Sequence, residues 1–334
     1  MCYNLRAMSR VRHATIGGAI LLLGGLLSGS ALAGTLTVTS PTTGSFVGTG
    51  ASVTFNITGA RVKTTVKAVI TSPTGSTTVQ NDFTPSTEGT ASGTLSLGLA
   101  ASSPQGQYTI VVSATEPNNT YSPTTLTVNV DTVSPKILSF TPARNSFVKG
   151  SVRIRYGLQE ANLRDATITA AGQTLPNTGT GSNVEATFDT ATITSDGPQT
   201  ISLSARDQAN NTLNDTISVT VDRNAPSSTI QSPVAGIRVR PNTEIAVIVD
   251  VADQFSNSVD VTGVDVVLQR TDGTFITRAT RLSFRPVANG SSTSRWTGRL
   301  RPGTVKLPST YKIVVSAIDR AGNVAARQEL TVRS

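Results

Sequence analysis

Between Ile201 and Pro226 the chain alternates apolar and polar residues, breaks at Asp207–Asn211 and alternates again. It then closes on an acid, three linker residues and a proline. Alternation with a period of two marks a strand with one face buried, so the stretch reads as strand, tight turn, strand and linker. The same pattern covers Ile110–Pro135 and returns in Ile313–Val332. Each copy has the form of a closing β-hairpin followed by a joint.

A second anchor repeats in register with the first. Ser-Pro-Thr-Thr-Gly-Ser-Phe-Val at 40–47, Thr-Pro-Ala-Arg-Asn-Ser-Phe-Val at 141–148 and Ser-Pro-Val-Ala-Gly-Ile-Arg-Val at 232–239 share one frame. In each, a proline precedes a residue tolerant of positive φ (Gly44, Asn145, Gly236) by three positions and a valine by six. Between the anchors lie six or seven short alternating segments per repeat. In the first these are Thr35–Thr39, Ser52–Ile57, Val62–Thr71, Thr90–Leu99, Tyr108–Ala114 and Thr124–Val130. The expectation is an all-β chain of three tandem immunoglobulin-like β-sandwich domains in an elongated array, at 34–131, 132–222 and 223–334. Tyr108 and Tyr311 stand six residues before Ala114 and Ala317, the place of a tyrosine corner; Gln199 holds it in the second repeat.

The turn inside the closing hairpin carries a family resemblance. Arg206-Asp207-Gln208-Ala209-Asn210-Asn211 and Ile318-Asp319-Arg320-Ala321-Gly322-Asn323 resemble the A-x-D-x-A-G-N turn of bacterial Ig-like domains, and the linkers at 130–135 and 221–226 resemble their interdomain joints. Domain one departs from the pattern, with Glu116 for the aspartate and no Gly-Asn pair. The resemblance implies modules strung together in bacterial surface proteins and adhesins. It also implies Ca²⁺ at joints where linker carboxylates meet a neighbouring loop, with Asp131, Asp207, Asp222 and Asp253 as candidate ligands and Asp222 paired with Asp207 or Asp253. The alternative is that each aspartate accepts backbone N–H bonds in its own turn. No other cofactor is expected.

Composition narrows the chemistry. Residues 1–33 read as a signal peptide: Arg6, Arg10 and Arg12 precede an apolar run, and Ala31-Leu32-Ala33 is a cleavage site ahead of Gly34. Cleavage between Ala33 and Gly34 removes Cys2 and His13, the one cysteine and the one histidine. The mature chain then has no disulfide, thiol nucleophile, Cys/His metal site or imidazole-based triad. It is expected to be non-enzymatic, without a membrane span, and periplasmic, secreted or surface-associated.

Charge is segregated. Domain three holds 15 Lys and Arg against 8 acids, a net of +7, while the first two domains are close to neutral. Arg270, Arg278, Arg281, Arg285, Arg295, Arg299 and Arg301 fall in one stretch with Asp272 as its single acid. Arginine forks fit phosphate, sulfate and carboxylate, so this stretch is a candidate site for an anionic surface glycan or an envelope protein. The competing reading is a solvated face whose arginine stems cover sheet surface. No nucleic-acid fold signature is present, and nothing in the pattern sets an oligomeric state. Trp296, the one tryptophan, is either a core residue or the platform of a carbohydrate-binding module.

Overall fold

The computed structural model describes residues 34–87, 89–255, 261–288, 291–303 and 310–334. The expected signal peptide, Ala33 included, lies outside the described residues. The first unit contains β1 (Thr35–Ser40), β2 (Phe46–Val47), β3 (Ser52–Thr58), β4 (Thr64–Ser72), β5 (Gly75–Phe83), β6 (Thr90–Ser96), β7 (Gly106–Glu116), β8 (Asn119–Thr120) and β9 (Thr124–Val130). The second contains β10 (Lys136–Thr141), β11 (Phe147–Val148), β12 (Ser151–Gln159), β13 (Leu163–Ala170), β14 (Gln173–Leu175), β15 (Asn183–Asp189), β16 (Gly197–Asp207) and β17 (Thr212–Val221). The third contains β18 (Ser227–Ser232), β19 (Ile245–Ala252), β20 (Val261–Arg270), β21 (Phe275–Arg278), β22 (Thr280–Pro286), β23 (Thr293–Leu300), β24 (Thr310–Asp319) and β25 (Gln328–Arg333).

Each unit is two facing sheets. In the first, β1-β3-β6 faces β2-β9-β7-β4-β5; in the second, β10-β12-β15 faces β11-β17-β16-β13-β14. The third pairs β18-β19-β23-β22 with β21-β20-β24-β25. In every unit the chain begins on one sheet and crosses to the other. β2 lies parallel to β9, β11 parallel to β17, and a parallel bridge joins Arg238 to Arg333. This crossing, with antiparallel pairing elsewhere, is the immunoglobulin-like sandwich. The crossing loop is built as the sequence implies: Gly44, Asn145 and Gly236 have φ of 86°, 59° and 78°, and the prolines three positions before them follow cis bonds.

Alternation along the strands fills three separate cores. Val53, Phe55 and Ile57 of β3 face Ile110 and Val112 of β7; Ile154, Phe188, Ile201 and Leu203 fill the second unit; Val247, Leu268, Ile313 and Val315 fill the third. Each fully buried side chain of this size contributes about 1.5–3 kcal/mol. The Tyr108 hydroxyl donates to Pro104 O at 2.9 Å, closing the expected corner. Tyr311 is buried in the same place, but the segment that would answer Pro104, 304–309, lies outside the described residues. Among the described residues no helix is long and apolar enough to cross a membrane.

Two strands escape the alternation rule. β5 is exposed along most of its length and rich in Ser, Thr, Gln and Asn; β14 is three residues long and exposed at Gln173 and Thr174. Both are edge strands of their sheets, where one side of the backbone has no neighbour and the apolar signal is weakest.

Candidate functional site: two acidic joints

The closing hairpins place the same turn at both joints. In the second unit Asn210 adopts a φ of 70° and lets the chain reverse between β16 and β17. Asp207 caps the turn by accepting from Asn211 N at 2.9 Å and Asn211 Nδ2 at 2.8 Å. The Asn211 amide is thereby aimed across the joint, where it donates to Asp131 O of the first unit's linker at 2.9 Å. The third unit repeats this. Gly322 supplies the left-handed φ, 82°. Asp319 accepts from Asn323 N and Nδ2, both at 2.8 Å, and Asn323 Nδ2 donates to Asp222 O at 2.9 Å. The aspartate–asparagine turn is therefore a latch on the preceding linker.

The pole that receives the latch is also matched. In the first joint Gly48 approaches so closely that a Cβ there would lie 2.8 Å from Ala209 O. In the second joint Lys149 stands at the corresponding position and donates to Gly322 O, while the Arg320 guanidinium lies 6.0 Å from the Phe147 ring centre. That contact has cation–π geometry.

Three carboxylates converge behind each latch. Asp131, Glu160 and Asp207 meet at the first joint, and Asp222, Asp253 and Asp319 at the second; in each trio one oxygen per residue lies within 4.8 Å of the others. Each trio draws on one linker, one turn, and the residue just after the strand that pairs with the first strand of the following unit. Glu160 follows β12 as Asp253 follows β19. The linker acid accepts from the N–H two residues on, Val133 to Asp131 and Asn224 to Asp222, both at 3.1 Å. Glu160 does the same with Asn162 at 2.7 Å, and Asp253 with Phe255 at 3.0 Å. Asp222, Asp253 and Asp319 are all buried, at 1%, 5% and 2% exposure.

Asp222 is pushed up to about 6, by burial first and then by the charge of Asp253, with Asp319 and Asp196 adding to it against the Asn224 N–H. Burial likewise raises Asp253, with Asp319 contributing, and raises Glu160, with Asp131 and Asp207 contributing. Charges this close repel by about 3–4 kcal/mol per pair at an effective dielectric of about 20. The arrangement therefore favours either a proton or a cation among the three.

The geometry can be compared with what a cation needs. Ca²⁺ binds oxygen at about 2.3–2.6 Å, so ligands on opposite sides of it stand up to roughly 5 Å apart, and both trios meet that limit. The donors are all hard oxygens, which suit Ca²⁺ or Mg²⁺ and not the softer transition metals.

The four aspartates singled out in the sequence thus divide between two joints. Asp131 and Asp207 belong to the first, Asp222 and Asp253 to the second; Asp222 pairs with Asp253, and Asp207 is not in its cluster. Glu160 was missed as a ligand because it stands alone in sequence. Comparing the residue that follows the strand paired with each domain's first strand brings it out beside Asp253. Domain one has Gly59 at that position, and its Glu116 turns inward instead. Glu116 accepts from Arg61 N at 3.0 Å, Val62 N at 3.1 Å, Asn119 Nδ2 at 2.7 Å and the Tyr121 hydroxyl at 3.0 Å.

The arginines of domain three do not form one face. Arg270 and Arg278 lie on the β21-β20-β24-β25 sheet, whereas Arg285, Arg295 and Arg299 lie on the opposite one. Arg278 pairs with Asp265 at 2.7 Å, and Arg295 pairs bidentately with Asp250 at 2.7 and 2.8 Å. Arg299 and Arg301 share Glu244. Arg285 is exposed opposite Arg295, Arg270 is half-buried opposite Tyr311, and the Arg281 side chain lies outside the described residues. The partner acids sit on other strands or loops, invisible to a count along one stretch. Trp296 is half-buried, packs against the domain-three core and stacks on Phe284 with ring centres 4.8 Å apart.

A profile of the bacterial Ig-like domain (group 3) matches residues 182–330. No curated protein matches the sequence. Among solved structures, the fibronectin(III)-like modules of Clostridium thermocellum CbhA are similar at 11% identity, with 60% of this chain and 93% of theirs covered and a TM-score of 0.39. The titin fragment I67–I69, an E-to-A variant, is similar at 11% identity over 89% and 97%, with a TM-score of 0.37. A tetra-tandem repeat from the extending region of a large adhesion protein is similar at 18% identity over 90% and 74%, with a TM-score of 0.26. The sheet order, the repeated Asp–Asn turns and the family match agree: this is a tandem array of immunoglobulin-like sandwiches, of which residues 182–330 match the bacterial Ig-like domain (group 3).

Proposed function

We propose that this chain is an exported, non-enzymatic spacer of the cell envelope or surface, whose domains are held in fixed succession by a divalent cation, Ca²⁺, at each joint. The observation that carries the reading is recurrence. Two joints separated by a whole domain build the same latch and the same acid trio from corresponding positions, although one trio uses Glu160 where the other uses Asp253. Asp131, Glu160 and Asp207 would hold one ion; Asp222, Asp253 and Asp319 would hold the other. A bound cation offsets the repulsion within each trio and ties three chain segments across the joint, which restricts the angle between domains. The turn-capping bonds fit this role, since they leave further carboxylate oxygen in each trio for an ion. Contact with an anionic glycan or an acidic envelope protein falls to domain three, on its net charge of +7.

Small-angle scattering of residues 34–334 tests the proposal. In Ca²⁺ the maximum dimension should grow and its distribution narrow relative to EDTA, and the response should vanish in the Asp131→Asn, Asp222→Asn double variant. Identical scattering in Ca²⁺ and EDTA would overturn it.

A further inference from the structure

Domain three differs from its sisters at the pole that, in domains one and two, receives the next latch. There the crossing strand lies parallel to the last strand, and the residues opposite each other are neutral: Phe46 faces Asn129, and Phe147 faces Thr220. In domain three the corresponding pair is Arg238 and Arg333. Arg240 takes the position held by Gly48 and Lys149, two residues past that pair. Arg238 and Arg240 flank Val239, which is 1% exposed, so both point outward, and Arg333 is exposed beside them. Among the described residues none of the three is in an ion pair; Glu244, in the same loop region, is engaged by Arg299 and Arg301.

Like charges facing each other on neighbouring strands, about 4.8 Å apart, are destabilising. The sister domains show that the fold does not require them. Arg238 also replaces the ring on which Arg320 lies at the second joint, so this pole is not built to take a latch of that kind. Three guanidinium forks without acids to answer them are suited to oxyanions. They are spread over a strand pair and a loop rather than gathered in a pocket, which suits charges repeated along a chain better than one small ion.

We propose that the Arg238–Arg240–Arg333 pole binds a linear polyanion through its phosphate groups. The proposal is independent of the cation at the joints, and its test is run in EDTA. Residues 34–334 are titrated with fluorescently labelled inorganic polyphosphate at several salt concentrations. Each phosphate contact adds about 0.7 to the slope of log affinity against log salt for a flexible strand. Converting Arg238, Arg240 and Arg333 to Gln should lower that slope by about 2 and weaken binding at least roughly tenfold at low salt. A control with Arg278→Gln, Arg285→Gln and Arg299→Gln loses the same charge away from the pole and should keep most of the slope. Equal losses in the two triple variants would reduce the effect to net charge and overturn the proposal, as would failure of the unaltered protein to bind. Orthophosphate at equal phosphorus concentration should not compete; full competition would contradict a polymer site. Unchanged melting temperatures verify that the variants are folded.

Discussion

Replacing Asp222 by Asn removes one charge from the second trio while keeping its bulk. Asp222 is buried, with a carboxyl pushed from 3.8 up to about 6 by burial and by its acidic neighbours. A carboxyl whose folded pKa lies above its unfolded one disfavours folding when ionised. Below about pH 4 it is protonated in both states and costs nothing; the cost grows from about pH 4 to about pH 6 and is complete above that. A shift of about two units corresponds to at most about 3 kcal/mol. In EDTA near neutral pH the Asp222→Asn variant should therefore be more stable than the unaltered protein by up to about 3 kcal/mol, a gain that fades towards about pH 4. In Ca²⁺ the order should reverse. The unaltered protein gains about 4.1 kcal/mol when Ca²⁺ stands at about 1,000 times its dissociation constant, and the variant, short of one ligand, gains much less. Urea unfolding followed by the fluorescence of Trp296 reports on domain three, and calorimetry resolves the other transitions. A variant destabilised equally in EDTA and in Ca²⁺ would refute the reasoning, because the carboxylate would then serve only to cap the Asn224 N–H.

Other substitutions probe the remaining parts. Asn323→Ala removes the side-chain bonds to Asp222 O and to the buried Asp319; because the backbone bond to Asp319 is kept, the expected cost is about 1–3 kcal/mol in domain three, with a wider spread of interdomain angles by scattering. Gly48→Ala places a Cβ 2.8 Å from Ala209 O, so the first joint should open, seen as loss of interdomain contacts by NMR, while the core resonances of both domains stay in place. Burial alone would raise Glu116, but bonds from Asn119, Val62, Arg61 and Tyr121 bring it down to about 2. Domain one should consequently hold this stabilisation above about pH 4.5 and lose it as pH falls towards about 2, whereas Glu116→Gln should show a flatter acid-melting profile across that window.

The fold was legible because its signals are local. Alternation in β3, β7, β9 and β16 follows from one buried face per sheet, and the Gly44/Asn145/Gly236 frame marks a positive-φ turn that repeats in all three units. β5 and β14 were not legible, because short or polar edge strands carry no alternation. The site was half legible. Asp131, Asp207, Asp222 and Asp253 are candidates on the sequence alone, and Asp319 stands within the same motif as Asp207, but Glu160 joins its trio only through folding, from 29 residues past Asp131. Separation in sequence likewise hid Asp250 and Glu244 from the arginines they hold, 45 residues for Arg295 and 55 for Arg299. Tertiary pairing of charges, unlike patterning, leaves no trace in a local window.

The central claim is that each joint holds one cation. Equilibrium dialysis of residues 34–334 against radioactive Ca²⁺ measures this directly. The account predicts two ions per chain, one in the Asp222→Asn variant and none in the Asp131→Asn, Asp222→Asn double variant. No bound Ca²⁺ in the unaltered protein, or two ions retained in the double variant, would contradict it.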